Sequence, residues 1–171
     1  MPKEDRNQPS PLTLETITQL AVETTLVSGR HAPTLVVEGN TQTVRLELTQ
    51  TPPTPEGRAL QMLTIGALLR EQRQLGTLKQ LFFISEAWLS SQATAHPARP
   101  RPSQDPNRQE VLIISRFQAH DEATQAVILA MRRDKKGELR ELKPLLLPDE
   151  ITSSNSPLLQ AFVHGYQHGD A

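Results

Sequence analysis

None of the 171 residues is cysteine. That excludes thiolate zinc sites, iron–sulfur clusters, cysteine nucleophiles and any disulfide framework. Aromatic residues make up 4% of the chain, which leaves few platforms for stacking on bases. Charge of one sign is lacking too: 18 Lys and Arg stand against 19 Asp and Glu, a net charge of -1. Proteins that grip nucleic acid through its phosphates ordinarily carry a basic excess, so nucleic acid is not expected as a partner. No run approaches the ~20 apolar residues that a membrane span needs. The polar start, Met1-Pro-Lys-Glu-Asp-Arg, shows no apolar signal-peptide core. A cytoplasmic location without membrane contact is therefore the expectation. Gly-x-Ser-x-Gly, Gly-x-Gly-x-x-Gly and a Walker loop do not occur, so neither a nucleophile elbow nor a phosphate cradle has support.

Clearly written helices and strands are present instead. Residues 1–11 are polar and read as a disordered tail; residues 12–168 read as a single domain. Over Leu12 to Gly29, Leu14, Ile17, Leu20, Ala21, Thr24 and Val27 recur at helical spacing, and Gly29 is a natural stop. Thr34 to Glu38 and Thr41 to Thr49 read as a hairpin around Gly39-Asn40, with the glycine supplying positive φ in a tight turn. That register sets Glu38 opposite Thr41 and Leu35 opposite Val44. It puts Leu35, Val37, Val44 and Leu46 on one face, and it makes strand two half-exposed, near a sheet edge. Thr54 caps a second helix that begins at Pro55 and ends before Gly76, with Leu60, Leu63, Ala67 and Leu68 as its apolar stripe. Gly66, in mid-helix, is expected to let this helix lie close on the sheet.

Strands three (Leu78 to Leu89), four (Glu110 to Gln118) and five (Thr124 to Arg132) are apolar on both alternating faces. Such strands are covered on both sides, so they should form the centre of the sheet. Between strands three and four, residues 90–109 hold four prolines and three arginines. They cannot build a core and read as an exposed loop. The turn at Asp134 to Gly137 lets Leu139 to Lys143 return as a sixth strand, and Ser156-Pro157 opens a last helix. The fold class is thus α+β: a single antiparallel sheet of five or six strands with three helices, in the order α-β-β-α-β-β-β(-β)-α.

Few residues can carry chemistry. Glu86 shares a strand face with Phe82, Ile84 and Trp88, and a carboxylate beside tryptophan can act as an acid or base. Glu86, Trp88 and the loop residue His31 are therefore the candidate pocket, although the plainer reading is that the strand has reached the sheet's end, where Glu86 meets solvent or an arginine. Arg99, Arg101 and Arg108 form the candidate partner-binding loop. Arg132, Arg133, Lys135 and Lys136 read as hairpin-tip charges that keep the chain soluble and block edge pairing. His164 and His168, four apart on the last helix, have the spacing of two metal ligands but lack a third. No metal and no cofactor are expected. JAB-type metalloproteases need a His-x-His, which this chain does not have.

The element order from Leu14–Val27 through the Gly39-Asn40 hairpin, Pro55–Leu75, strands three to five and the Ser156-Pro157 helix resembles roadblock/LC7 domains of the profilin-like class. The likeness is one of topology, and no functional residue transfers. It implies a non-enzymatic scaffold or regulator that dimerises. In that arrangement strand one lies on the free edge of strand five, the place a sixth strand would also claim. The expected function is a non-catalytic protein–protein interaction or regulatory scaffold module that self-associates, as a homodimer. The alternative is a small enzyme or ligand-binding domain with its pocket at Glu86 and Trp88.

Overall fold

The structure, a computed structural model, describes residues 12–90, 106–147 and 156–169. The expected N-terminal tail and most of the proline- and arginine-rich loop, including Arg99 and Arg101, lie outside those residues. Three helices, α1 (Leu14–Ser28), α2 (Pro55–Gln72) and α3 (Pro157–His168), accompany six strands. The strands are β1 (Thr34–Gly39), β2 (Thr43–Glu47), β3 (Leu78–Leu89), β4 (Gln109–Gln118), β5 (Thr124–Arg133) and β6 (Leu139–Pro144). They form one antiparallel sheet in the order β2-β1-β3-β4-β5-β6. The sixth strand takes the free edge of β5, and β1 pairs with β3 instead.

Strand alternation sorts the sheet into two apolar faces. Leu35, Val37, Leu81 and Phe117 face α2 and α3, where they pack with Met62, Leu69, Leu159 and Phe162. Val36, Phe82, Ile84, Leu112 and Leu129 face α1, where they meet Ile17 and Ala21. Helix starts are set by side-chain caps. Thr13 accepts from the Thr16 amide at 3.1 Å, and Thr54 accepts from Gly57 at 3.1 Å with Pro55 in the first turn. Each cap satisfies an amide that has no partner within its helix.

Two expectations about the hairpin separate here. The faces are as expected, but the register is not: Glu38 pairs with Thr43, and Leu35 with Leu46. The partner lies two positions further along than a tight turn allows. A shift of two preserves side-chain parity, so the same residues still point inward. The reason is that Gly39 does not serve a positive-φ turn. A Cβ there would lie 2.0 Å from the Leu75 carbonyl oxygen. The loop is pressed against the end of α2, where Asn40 donates to Thr77 O at 2.9 Å and accepts from Thr77 N at 2.8 Å. Helix α2 itself ends at Gln72 with Arg73 in the left-handed region, and Leu75 is fully buried between helix and strand.

The helix stripes also turn relative to expectation. On α1 the buried residues are Ile17, Ala21 and Thr25, while Leu20 and Val27 face solvent at 57% and 90% exposure. On α2 they are Met62, Gly66 and Leu69, and Leu60 and Leu68 face outward. The cause on α2 is its neighbour. Gly66 meets α3 rather than the sheet: a Cβ on Gly66 would lie 2.3 Å from Phe162 O, and one on Gly165 would lie 2.0 Å from Leu63 O. The two helices cross backbone against backbone, and that crossing selects which side of each faces in.

Alanine at either crossing glycine should therefore destabilise the protein by about 2 kcal/mol. The close contact must open, at the usual cost of overpacking, and this outweighs the ~1 kcal/mol gained in helix propensity. Chemical denaturation of Gly66→Ala and Gly165→Ala measures this, and unchanged or raised stability would show that the helices do not approach so closely.

Candidate functional site

Helix α1 lies across the second face of the sheet and is tied down by polar groups at both ends. At its start, Gln80 on β3 donates to the Leu12 carbonyl at 2.8 Å and also to Glu38 on β1. Arg116 on β4 donates to Gln80 Oε1 at 2.8 Å. Gln80 is buried, at 8% exposure, and this chain gives its amide the partners that a buried polar group requires.

At the end of α1, Arg133 on β5 forms a two-pronged pair with Glu110 on β4, Nε to Oε2 at 2.7 Å and Nη2 to Oε1 at 2.8 Å. The same guanidinium donates to Gly29 O, beyond the last turn of α1, at 3.0 Å and to Gly137 O in the β5–β6 turn at 3.3 Å. The carboxylate hydrogen bond raises the Arg133 pKa further above its ordinary value, so the charge is permanent. Two residues beyond Gly29, the His31 amide donates to Glu86 Oε1 at 2.7 Å.

The candidate pocket is thus only partly assembled. Glu86 and Trp88 share a cleft of about 850 Å³ with Glu110, Arg133 and Val27. His31 reaches Glu86 through its backbone, while its buried ring turns away, with Nδ1 2.7 Å from Ala32 O. Most charges of the cleft are engaged with the protein itself, Arg30 being the exception among the described residues. Glu86 holds the chain that leaves α1, Glu110 holds Arg133, and Arg140 pairs with Asp134 at 2.7 Å and Glu138 at 2.6 Å. The Arg140 hydrogen bond keeps Asp134 ionised below its ordinary value of 3.8. Of the arginine loop, Arg108 is described. It stacks over Trp88, 4.6 Å from the ring centroid, which joins two residues that sequence spacing had kept apart. His164 and His168 bring their rings to 4.7 Å, yet among the described residues no group of three His, Asp or Glu could hold a metal.

Sequence reasoning missed Arg133, taken there for a solvated hairpin-tip charge, as well as Glu110 and the Gln80–Arg116 pair. A signal existed for the latter, since Gln80 and Arg116 interrupt otherwise apolar faces of central strands. It also missed the open half of the α1 face. Helix α1 packs over β3, β4 and β6 and reaches Val36 of β1, so the edge strand β2 is left uncovered on this side, with Thr43 and Arg45 exposed. An apolar groove of about 460 Å³ runs there, lined by Ile17, Leu20, Ala21, Val36 and Ile84 and rimmed by Arg45.

Replacing Arg133 by methionine should cost about 2–3 kcal/mol, because Glu110 is left half-buried and unpaired. Replacing Glu86 by alanine should cost about 1–3 kcal/mol, because the His31 amide loses its acceptor. Thermal and urea unfolding test both, and losses near zero would mean that these groups are free for another role. No protein family, no curated protein and no solved structure matches this chain.

Proposed function

We propose that the protein is a non-catalytic association module that binds protein partners through the α1 side of its sheet, where the edge strand β2 lies open. The observation that carries this reading is the apolar groove beside Leu20, which leaves 57% of its surface in water; Val27, further along α1 where it lines the second cleft, leaves 90%. Contiguous exposed apolar surface on a folded domain marks an association site. The engagement of Glu86, Glu110 and Arg133 in holding α1 weighs in the same direction. An acid or base already committed to the fold is poorly placed to exchange protons with a substrate. The rival reading, a ligand site at Glu86 and Trp88, draws on the size of the second cleft and the half-exposed indole.

A photo-reactive amino acid placed at position 20 or 27 in cells that make the protein should yield discrete protein adducts, whereas one at the exposed position Glu71 on α2 should not. Diffuse or absent adducts from both α1 positions would count against the association reading.

A further inference from the structure

The two edges of the sheet are unlike. At one end β6 carries Lys143 and Pro144, and its pairing with β5 shifts register between Arg132 and Arg133. Lysine, proline and bulges are the means by which edges are kept from pairing with other strands. At the other end β2 has the sequence Thr43-Val-Arg-Leu-Glu47, with neither lysine nor proline, and its register with β1 is unbroken.

The open edge of β2 has a definite chemistry. Gly39 N donates to Gln42 O at 2.9 Å, and Leu48 N donates to Pro33 O at 2.7 Å. Antiparallel pairing alternates, so the even-numbered residues of β2 bond to β1, and the amides and carbonyls of Thr43, Arg45 and Glu47 point to the open side. The inward side chains Val44, Leu46 and Leu48 pack on the α2–α3 core. Arg45 and Glu47 are exposed on the opposite face, and neither side chain has a hydrogen bond or ion pair with another described residue.

We infer that β2 pairs antiparallel with β2 of a second copy of this chain, about a two-fold axis at Leu46, and so extends the sheet across a homodimer. This rests on the association reading above and names its partner. The choice of axis follows from charge. An axis at Arg45 would oppose the two Arg45 side chains, and an axis at Val44 would set Arg45 against Thr43. An axis at Leu46 sets Arg45 opposite Glu47 on both sides of the two-fold, Leu46 opposite Leu46, and Val44 opposite Leu48. Opposite charges directly across a strand pair stabilise it, and like charges destabilise it. The outward amides of Arg45 and Glu47 then gain the carbonyl partners that an edge lacks. An isologous contact of this kind closes on itself and leaves no further edge of the same type. The two apolar grooves, each floored by β1 and β2, would meet along the axis.

The test is a charge swap read by sedimentation equilibrium. Arg45→Glu alone and Glu47→Arg alone should each weaken dimerisation by at least about tenfold, because both cross-strand pairs become repulsive. The double variant, Arg45→Glu with Glu47→Arg, should recover the dimer, because both pairs re-form with their signs exchanged. Circular dichroism confirms that each variant folds. In the wild type, the Arg45 and Glu47 amides should gain protection from hydrogen exchange as concentration rises, while the Val44 and Leu46 amides stay protected throughout. A chain that remains monomeric to millimolar concentration overturns the self-pairing. So does a dimer indifferent to the single reversals, and so does a double variant that fails to recover. If such a chain still gives adducts to another protein from positions 20 and 27, the association reading stands and its partner is not this strand. Loss of those adducts as well would bring down both.

Discussion

Arg133 ties three parts of the fold together. Its guanidinium reaches β4 through Glu110, the end of α1 through Gly29, and the β5–β6 turn through Gly137. Arginine suits the task because its planar fork engages a carboxylate with two nitrogens and still directs others elsewhere. Gln80 performs the matching role at the start of α1. Between these anchors the helix is held by a short apolar seam of Ile17 and Ala21, flanked by partly buried Leu14 and Val22, with Thr25 bonded back to its own turn. So narrow a seam would be a weak hold without the polar ends. The arrangement also has a functional consequence: the charged residues that most resemble a reactive cluster are the ones the fold uses to fasten a helix.

The second layer is held by a different interaction. Helices α2 and α3 meet at Gly66 and Gly165, backbone to backbone, and press Met62, Leu159 and Phe162 onto β1 and β3. Together α2 and α3 cover the β2 end of the sheet on their side, whereas α1 leaves that end open on its own side. The asymmetry creates an edge strand with a solid apolar back, an exposed polar front and free backbone groups along its outer margin.

Much of this was legible in the chain. Every strand and helix is present where hydrophobic period and capping residues place it, because the period of a strand or helix is a local property. The faces of β1 and β2 were right even though their register was off by two, since alternation fixes parity and only the turn fixes register. What could not be read depends on which neighbour an element meets. Gly39 was taken for a turn glycine because its partner, the Leu75 carbonyl, lies in another element. Leu20 and Leu68 were taken for core residues because the true stripes are set by the sheet below α1 and by α3 beside α2. In the candidate site, Glu86 and Trp88 do lie together, but Glu86 is the acceptor for a backbone amide and the His31 ring points elsewhere. Arg133 sits in a run of basic residues that looks like any solvated hairpin, and its role is visible only once β4 is alongside.

The central claim is that the cleft at the end of α1 is a fastening rather than a reaction centre. Hydrogen exchange of the Arg133→Met variant, followed residue by residue, tests it most directly. If the claim holds, exchange at the last turn of α1 and at Gly29 to His31 should accelerate strongly, while the amides of α2 and α3 keep their wild-type protection. Unchanged exchange at Gly29 to His31, with α1 as protected as before, would contradict it and return Glu86, Glu110 and Arg133 to the list of groups available for chemistry.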